Sequence, residues 1–138
     1  MKKIPATENS LALRTDFSDE SAWRLLCAAI QEPVGDFRAY VDFVSDREFD
    51  GLTVDQLPSL ISEDSHHSFV FIIDSIAISR PDHPILVVDL YDEPGRTFRV
   101  IPSEMWGVEN NLSIANMGFD EFADAVGEDG VFRGFPQT

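Results

Sequence analysis

The spacing of apolar and polar residues predicts strands and helices in alternation along the chain. A period of two predicts strands over residues 9–15 and 37–44, and a run that is apolar at both parities predicts a fully covered strand over 85–91. Between the first two strands, Ala22 and Leu26 belong to an apolar stripe at helical spacing. The pattern therefore predicts a sheet with helices packed on it.

Turn chemistry divides the rest of the chain. The tetrad from Glu93 to Arg96 has Pro94 at its second position and Gly95 at its third, which predicts a type II turn that reverses the chain. The remaining predicted elements are a short or kinked helix over 53–61, a strand over 69–78, a returning strand over 97–101, a short helix from 102 to 106, an edge strand over 112–117, a helix from 119 to 126 and an irregular tail over 131–135.

The order of these elements predicts the α/β class, with α+β left open. We expect a single-layer mixed sheet of about five or six strands with helices packed against it. At 138 residues, the chain has the length of one domain. We therefore expect a flexible N-terminal segment over 1–8 and a single globular domain over 9–138.

Acidic residues outnumber basic residues along the whole chain. The sequence has 25 Asp and Glu against 10 Lys and Arg, and its net charge is −15. A surface of this sign repels nucleic acid and anionic membranes and accelerates encounters with basic proteins. We therefore expect a basic protein partner and neither nucleic-acid nor membrane binding, with simple solubility as the alternative meaning of the charge. This pattern does not determine the oligomeric state.

Three further features of the sequence narrow the class of protein. No stretch reaches the roughly 20 apolar residues that span a bilayer, and residues 1–10 lack the apolar centre of a signal peptide, so we expect a cytoplasmic location. The single cysteine, Cys27, lies in an apolar helical run, which is typical of a buried and unreactive thiol. Lys2 and Lys3 are the only lysines, so the folded body offers none for a phosphate loop or a Schiff base.

Carboxylates beside the apolar strands are the first candidates for chemistry. Asp74 lies within one apolar run and Asp89 near the end of the next, with Asp92 and Glu93 following. Because carboxylate oxygens suit Mg²⁺, Asp74 and Asp89 are candidate metal ligands. The alternative is structural: each carboxylate accepts hydrogen bonds from loop backbone or pairs with an arginine. No DxDxDG or HExxH motif supports the metal interpretation.

Other catalytic patterns are missing from the sequence. His66 and His67 are neighbours in a polar loop and His83 lies in a separate turn, as expected of solvated histidines. With one cysteine, the sequence does not favour a Cys/His zinc site. Neither a GxSxG motif nor a glycine-rich phosphate loop occurs. We therefore assign no catalytic residue.

Trp106 is the strongest candidate for an interface anchor, because a large aromatic beside the amides of Asn110 and Asn111 is typical of binding surfaces. A tryptophan that closes the end of the core is the alternative. The polar side of the strand over 37–44 should also face solvent or a partner. The predicted binding surface comprises Tyr40, Asp42, Asp89, Asp92, Glu93 and Trp106.

Several stretches carry a resemblance to a known family. The run LYDEPGRTFRVIPSEMWGVENNLSIANM over 90–117, the later FDEFADAV and the earlier RTDFSDESAW resemble a family of small, acidic, uncharacterised bacterial proteins. The resemblance implies a compact bacterial domain and transfers no catalytic residue. The predicted strand followed by FDEF at a helix start is also similar to some immunity proteins of bacterial toxin systems.

Together these patterns favour a non-enzymatic protein-binding module, such as an immunity-like inhibitor or a regulator of a basic partner. We expect no cofactor for this function. The alternative is a small metal-assisted hydrolase or lyase that uses Asp74, Asp89 and neighbouring acids with Mg²⁺.

Overall fold

Within residues 2–135, which the computed structural model describes, six strands form one mixed sheet. The strands are β1 (Ser10–Arg14), β2 (Val41–Val44), β3 (Phe69–Ile73), β4 (Ile85–Asp89), β5 (Thr97–Val100) and β6 (Val131–Phe132). Their order across the sheet is β2-β1-β3-β4-β5-β6. Residue 1 of the predicted flexible segment and residues 136–138 of the predicted domain lie outside the described residues.

Five α-helices within the described residues pack around this sheet. They are α1 (Glu20–Gln31), α2 (Leu57–Leu60), α3 (Ser75–Ser79), α4 (Met105–Ser113) and α5 (Phe119–Ala123). At the start of α1, the carboxylate of Asp19 accepts a hydrogen bond from the backbone N–H of Ala22 (3.0 Å), which satisfies one of the free donors of the first turn. The predicted α/β class with a mixed sheet is confirmed.

The central strands β3 and β4 pair antiparallel, with Phe69 opposite Asp89, whereas β1 is parallel to both β2 and β3. β5 returns antiparallel to β4 after a turn in which the N–H of Arg96 donates to the carbonyl of Glu93 (2.9 Å). Gly95 in this turn has φ +94°, which glycine adopts without strain. The predicted turn and the predicted antiparallel return are confirmed.

The sheet has a hydrophobic core on each side, because successive side chains of a strand point to opposite faces. Leu11 and Leu13 of β1 lie in one core, together with residues of α2 and of the segment that leads into it. Ala12 lies in the other core, which α1, α3, α4 and α5 cover. All five residues of β3 are buried, which explains the continuous apolar run of this strand.

Several predicted elements differ from the structure. The strand predicted over 69–78 ends at Ile73, because Asp74 caps α3 by accepting a hydrogen bond from the backbone N–H of Ala77 (3.1 Å). The edge strand predicted over 112–117 is instead the end of α4 and the turn after it. The predicted irregular tail contains β6, which pairs with β5 in parallel.

The segment before β2 packs against α4 and contacts β1 through the carbonyl of Tyr40, which accepts a hydrogen bond from the backbone N–H of Ser10 (3.2 Å). β2 itself is shorter than the strand predicted over 37–44. The ring of Phe37 stacks on that of Trp106, with centroids 4.7 Å apart. The backbone N–H of Tyr40 donates to the carboxylate of Glu109 (2.9 Å). Side chains of α4 thus hold this segment from outside the strand ladder.

Residues before β1 contact the core under α2. Ile4 is 1% exposed, and its backbone N–H donates to the carbonyl of Leu60 (2.8 Å). The ammonium group of Lys3 donates to the carbonyl of Ser59 (2.7 Å). The division into a flexible segment over 1–8 and one domain over 9–138 stays a prediction.

Candidate functional site

One end of the sheet carries a broad groove. β1, β2 and β3 begin at this end and β4 finishes there, since Ser10 lies opposite Val41 and Phe69 opposite Asp89. Two adjoining cavities of about 720 and 490 Å³ both include His66 in their lining. We call the two cavities the strand-end groove, whose lining includes Glu8, Tyr40, Asp64, Ser68, Tyr91 and Ile114.

A buried carboxylate, that of Glu109 in α4, lines this groove and is only 4% exposed. It accepts hydrogen bonds from the hydroxyl of Ser10 (2.8 Å), the backbone N–H of Tyr40 (2.9 Å) and the side-chain amide of Asn110 (3.0 Å). A buried carboxylate needs such partners, because its desolvation is otherwise costly. Glu109 thereby joins α4, β1 and the segment before β2 at the groove.

Neither this carboxylate nor its hydroxyl partner on β1 was predicted from the sequence. α4 runs past the helix predicted from 102 to 106, and its buried face of Met105, Val108 and Leu112 includes Glu109. The signal that could have found the carboxylate is its spacing, because a residue four positions after a buried apolar residue lies on the same helix face. That signal is visible only when the helix is extended past position 109.

Two adjacent histidines form part of the groove wall. The prediction of solvated histidines holds for His66, which is exposed, but not for His67 and His83, which are half-buried. The hydroxyl of Thr7 donates to the carbonyl of Asn9 (2.7 Å), so it accepts from the Nε2–H of His67 (2.8 Å). Desolvation lowers the pKa of His67 below its usual 6.5, and the carboxylate of Asp42 acts in the opposite direction.

The groove combines exposed apolar side chains with carboxylates. Tyr40, Tyr91 and Ile114 are 49%, 77% and 73% exposed. Within residues 2–135, neither cavity is lined by a lysine or an arginine. Arg38 lies beside the lining, with its guanidinium carbon 4.9 Å from the ring centroid of Tyr40. The carboxylates of the lining are those of Glu8, Asp64, Asp89, Asp92 and Glu109.

The structure brings four of the predicted binding residues to this end of the sheet. Tyr40 lines the first cavity, and Asp89 and Asp92 line the second. Asp42 lies at the start of β2, where its carboxylate accepts a hydrogen bond from the backbone N–H of Asn9 (3.0 Å). These residues lie far apart in the sequence and reach the same end of the sheet because β2 and β4 have opposite directions.

The other two predicted binding residues lie outside the groove lining. Glu93 pairs with Arg96 (2.8 Å), which also binds Asp124 (2.7 Å) on an acidic surface that adjoins the second cavity. Trp106 is partly covered by its stack with Phe37. The structure therefore separates Trp106 from the acidic residues with which the sequence analysis grouped it.

Asp74 and Asp89, the candidate metal ligands, lie at opposite ends of the sheet. Asp89 ends β4 opposite Phe69, the first residue of β3, whereas Asp74 follows the last residue of β3. Since a strand of this length spans roughly 15 Å, the two carboxylates cannot bind one cation. Within residues 2–135, no group of three or more His, Cys, Asp or Glu side chains is arranged to hold a metal ion.

Both carboxylates have structural contacts, as the alternative interpretation predicts. Asp74 binds the guanidinium of Arg99 through both oxygens (3.0 and 2.7 Å) in addition to capping α3. Asp89 is 2% exposed and shapes the loop after β4. It accepts hydrogen bonds from three backbone N–H groups, those of Tyr91 (2.9 Å), Asp92 (3.2 Å) and Glu93 (2.9 Å).

Comparison with known protein families gives one family assignment for the chain. The family model of a domain of unknown function, DUF6924, matches residues 9–135. The chain belongs to the DUF6924 family. No curated protein matches it. The predicted resemblance to a family of uncharacterised domains is confirmed, and the matched DUF6924 region contains every strand from β1 to β6.

Two further observations concern this DUF6924 domain. Among the described residues, no helix combines the length and the apolar character that crossing a membrane requires.

The thiol of Cys27 is partly buried, and desolvation raises its pKa to about 12. A thiol with this pKa stays protonated at neutral pH and is a weak nucleophile, in agreement with the unreactive cysteine predicted from the sequence.

Proposed function

We propose that this domain is a non-enzymatic binding module that binds a basic protein segment in the strand-end groove. The observation that carries the proposal is the composition of the groove. Exposed apolar side chains lie beside carboxylates, and within residues 2–135 no lysine or arginine lines either cavity. A surface of this kind suits a partner that presents cationic and apolar side chains together.

The charge of the whole chain supports the same partner. A net charge of −15 attracts basic proteins from a distance and repels nucleic acid and further copies of the chain. The acidic surface beside the second cavity extends this field through Asp92, Glu93, Asp120 and Asp124. Arg96 neutralises only part of it, because it pairs with two of these four carboxylates.

Exposed side chains of the groove provide apolar contact area. Tyr40 and Tyr91 can each bury a large ring with little loss of conformational entropy, and the face of a tyrosine ring attracts a cation. The guanidinium of Arg38 already lies over the ring of Tyr40. An arginine of the partner can occupy the equivalent position on Tyr91, while Ile114 contacts an aliphatic side chain.

The width of the groove limits the size of the bound segment. From β2 to β4 the groove crosses four neighbouring strands. Strands lie about 4.8 Å apart, so the three intervals make roughly 14 Å. An extended chain advances about 3.4 Å per residue, and about four or five residues therefore cross the groove. A short linear basic segment is the partner element that fits.

The role that suits these properties is an inhibitor or regulator that covers a basic protein. An immunity-like inhibitor of a basic bacterial toxin is one form of this role, and a cytoplasmic location is compatible with it. We propose that residues 9–138 act as one domain for this purpose. The support is the charge and the groove, and no catalytic residue is required.

A labelled basic peptide tests the proposed site. The measurement is the fluorescence anisotropy of a nine-residue peptide of alternating arginine and leucine, titrated with the full chain at 50 and 150 mM salt. The variant Glu8→Gln/Asp64→Asn removes two charges of the groove, and the matched control Glu128→Gln/Asp50→Asn removes two exposed charges elsewhere. We expect about tenfold weaker binding of the groove variant, or about 1.4 kcal/mol, and little change in the control.

A second pair of variants tests the apolar contact. Ile114→Ala should weaken binding by about threefold, because it removes exposed aliphatic surface inside the groove. Leu25→Ala is the matched control, since Leu25 is similarly exposed (68%) but lies on α1 outside the groove. If each groove variant weakens binding no more than its matched control, the peptide is not held in the groove, and the proposed site would then be wrong.

A further inference from the structure

We propose that His66 and His67 make the binding of a basic segment in the strand-end groove dependent on pH, with the affinity falling as the pH falls below neutral. This inference rests on the proposed function. Histidine is the side chain that ordinarily changes its charge between pH 5 and 8. His66 lines both cavities of the groove and His67 lines the first, so a charge gained by either acts at the bound segment.

The charged groups around the pair are acidic except for Arg38, which lies beside the groove lining over the ring of Tyr40. Neutral histidines therefore leave the groove negative, and protonated histidines place positive charge where a cationic partner side chain binds. By element, the acidic groups are Glu8 of the N-terminal segment, Asp42 of β2, Asp55 of the 3₁₀ turn before α2, Asp64 of the histidine loop, Asp89 and Asp92 at and after the end of β4, and Glu109 of α4.

Protonation leaves the local hydrogen bonding intact. In neutral His67 the Nε2–H donates to the hydroxyl of Thr7, so the added proton goes to Nδ1 and the contact with Thr7 persists. Burial lowers the pKa of His67, and Asp42 opposes this shift. His67 therefore gains its charge below pH 6.5, where carboxylic acids, which ordinarily titrate at about pH 4, are still ionised.

The direction of the effect follows from linkage. A cationic segment in the groove disfavours a further positive charge nearby, so binding of the segment releases protons and protonation weakens binding. Two unit charges about 7 Å from a bound cation, in a solvent-exposed groove, reduce the affinity about tenfold in total.

The test is the same anisotropy titration of the arginine–leucine peptide at pH 7.5, 6.5 and 5.5. The wild-type chain should lose about tenfold in affinity over this range, and His66→Asn/His67→Asn should lose less than about twofold. His83→Asn is the control and should keep the wild-type loss. His83 lies outside the groove, and asparagine tolerates its φ of +47°.

Circular dichroism at each pH verifies that the variants are folded. If the double variant unfolds because it lacks the contact with Thr7, His66→Asn alone should still show a smaller loss, about threefold. A variant that keeps the full tenfold loss, or a wild-type chain that binds the peptide without pH dependence, overturns the inference. If Glu8→Gln/Asp64→Asn binds as tightly as its control at pH 7.5, the proposed function fails instead.

Discussion

The hydroxyl of Ser10 donates a 2.8 Å hydrogen bond to the carboxylate of Glu109, although 99 positions separate the two residues. Ser10 and Glu109 are only 6% and 4% exposed, so bulk water cannot replace either group as the hydrogen-bond partner of the other. The bond joins the first strand of the sheet to α4 at the strand-end groove. The shape of the groove thus depends on a buried polar contact as well as on apolar packing.

Removing this carboxylate should destabilise the domain. Glu109→Ala leaves the hydroxyl of Ser10 and the backbone N–H of Tyr40 without their acceptor, and we expect the free energy of unfolding to fall by about 3 kcal/mol. Urea denaturation followed by circular dichroism measures the change. Glu128→Ala, at an exposed position, should stay within about 0.5 kcal/mol of wild type.

The same pair allows a double-mutant cycle. Ser10→Ala alone should lower the free energy of unfolding by about 1 kcal/mol, because it removes one hydrogen bond. In the Glu109→Ala background, Ser10→Ala should cost much less, since its partner is already gone, and the coupling energy should be about 1 kcal/mol. Strict additivity of the two changes would contradict the contact.

Asp89 should prove to be a loop-forming residue. Asp89→Ala removes the acceptor of three backbone N–H groups, and we expect the free energy of unfolding to fall by about 2–3 kcal/mol. Asp50→Ala, at an exposed position, should have little effect. The melting temperature of the wild type should be the same with and without Mg²⁺, and a Mg²⁺-dependent rise that Asp89→Ala abolishes would favour the metal interpretation instead.

The partly buried ion pair at the opposite end of the sheet should contribute more to stability than an exposed pair. Arg99→Met removes two hydrogen bonds to Asp74, whose side chain is 23% exposed, and should lower the free energy of unfolding by about 2 kcal/mol. Arg24→Met is the matched control, because Arg24 is 78% exposed and lies 3.8 Å from Glu20, and it should change less than about 0.5 kcal/mol. Equal changes in both variants would contradict this assignment.

His67 should make the stability of the domain depend on pH. Its pKa is lower in the folded chain than the usual 6.5, mainly because of desolvation, so the unfolded chain binds the proton more tightly. Its contribution to the free energy of unfolding is therefore fully present above pH 6.5 and is lost as the pH falls from 6.5 through the lowered pKa. Urea denaturation at several pH values between 8 and 5 gives the free energy of unfolding as a function of pH. This free energy should fall less steeply with decreasing pH for His67→Asn than for wild type. An unchanged pH dependence of the free energy of unfolding would show that His67 is not the titrating group.

Local sequence was sufficient for much of the fold. Adjacent residues alone determine the alternation in β1, the apolar run of β4 and the turn with Pro94 and Gly95 at its centre, and these features are confirmed. The end of β3 was missed because the apolar run continues past Asp74, although an aspartate is disfavoured in strands and typical of a helix N-cap. β6 has only two residues, which is too few for a periodicity to be seen.

The candidate site was predicted only in part. Tyr40, Asp42, Asp89 and Asp92 were singled out and do lie at one end of the sheet. Glu109 was missed, because the length of α4 depends on packing against β1 and the segment before β2 rather than on its own propensity. His67 was taken as solvated, since no local signal shows that Thr7 covers it from sixty positions away.

The sequence by itself determined the class of the fold, its acidic character and the family resemblance, because these depend on composition, short-range periodicity and motifs. Only the tertiary structure decided which acids meet. The antiparallel pairing of β3 and β4 separates Asp74 from Asp89, while the burial of one face of α4 brings Glu109 to Ser10. Strand register and helix packing are long-range properties, and a residue pattern that is read locally contains no distance between residues that lie far apart in the chain.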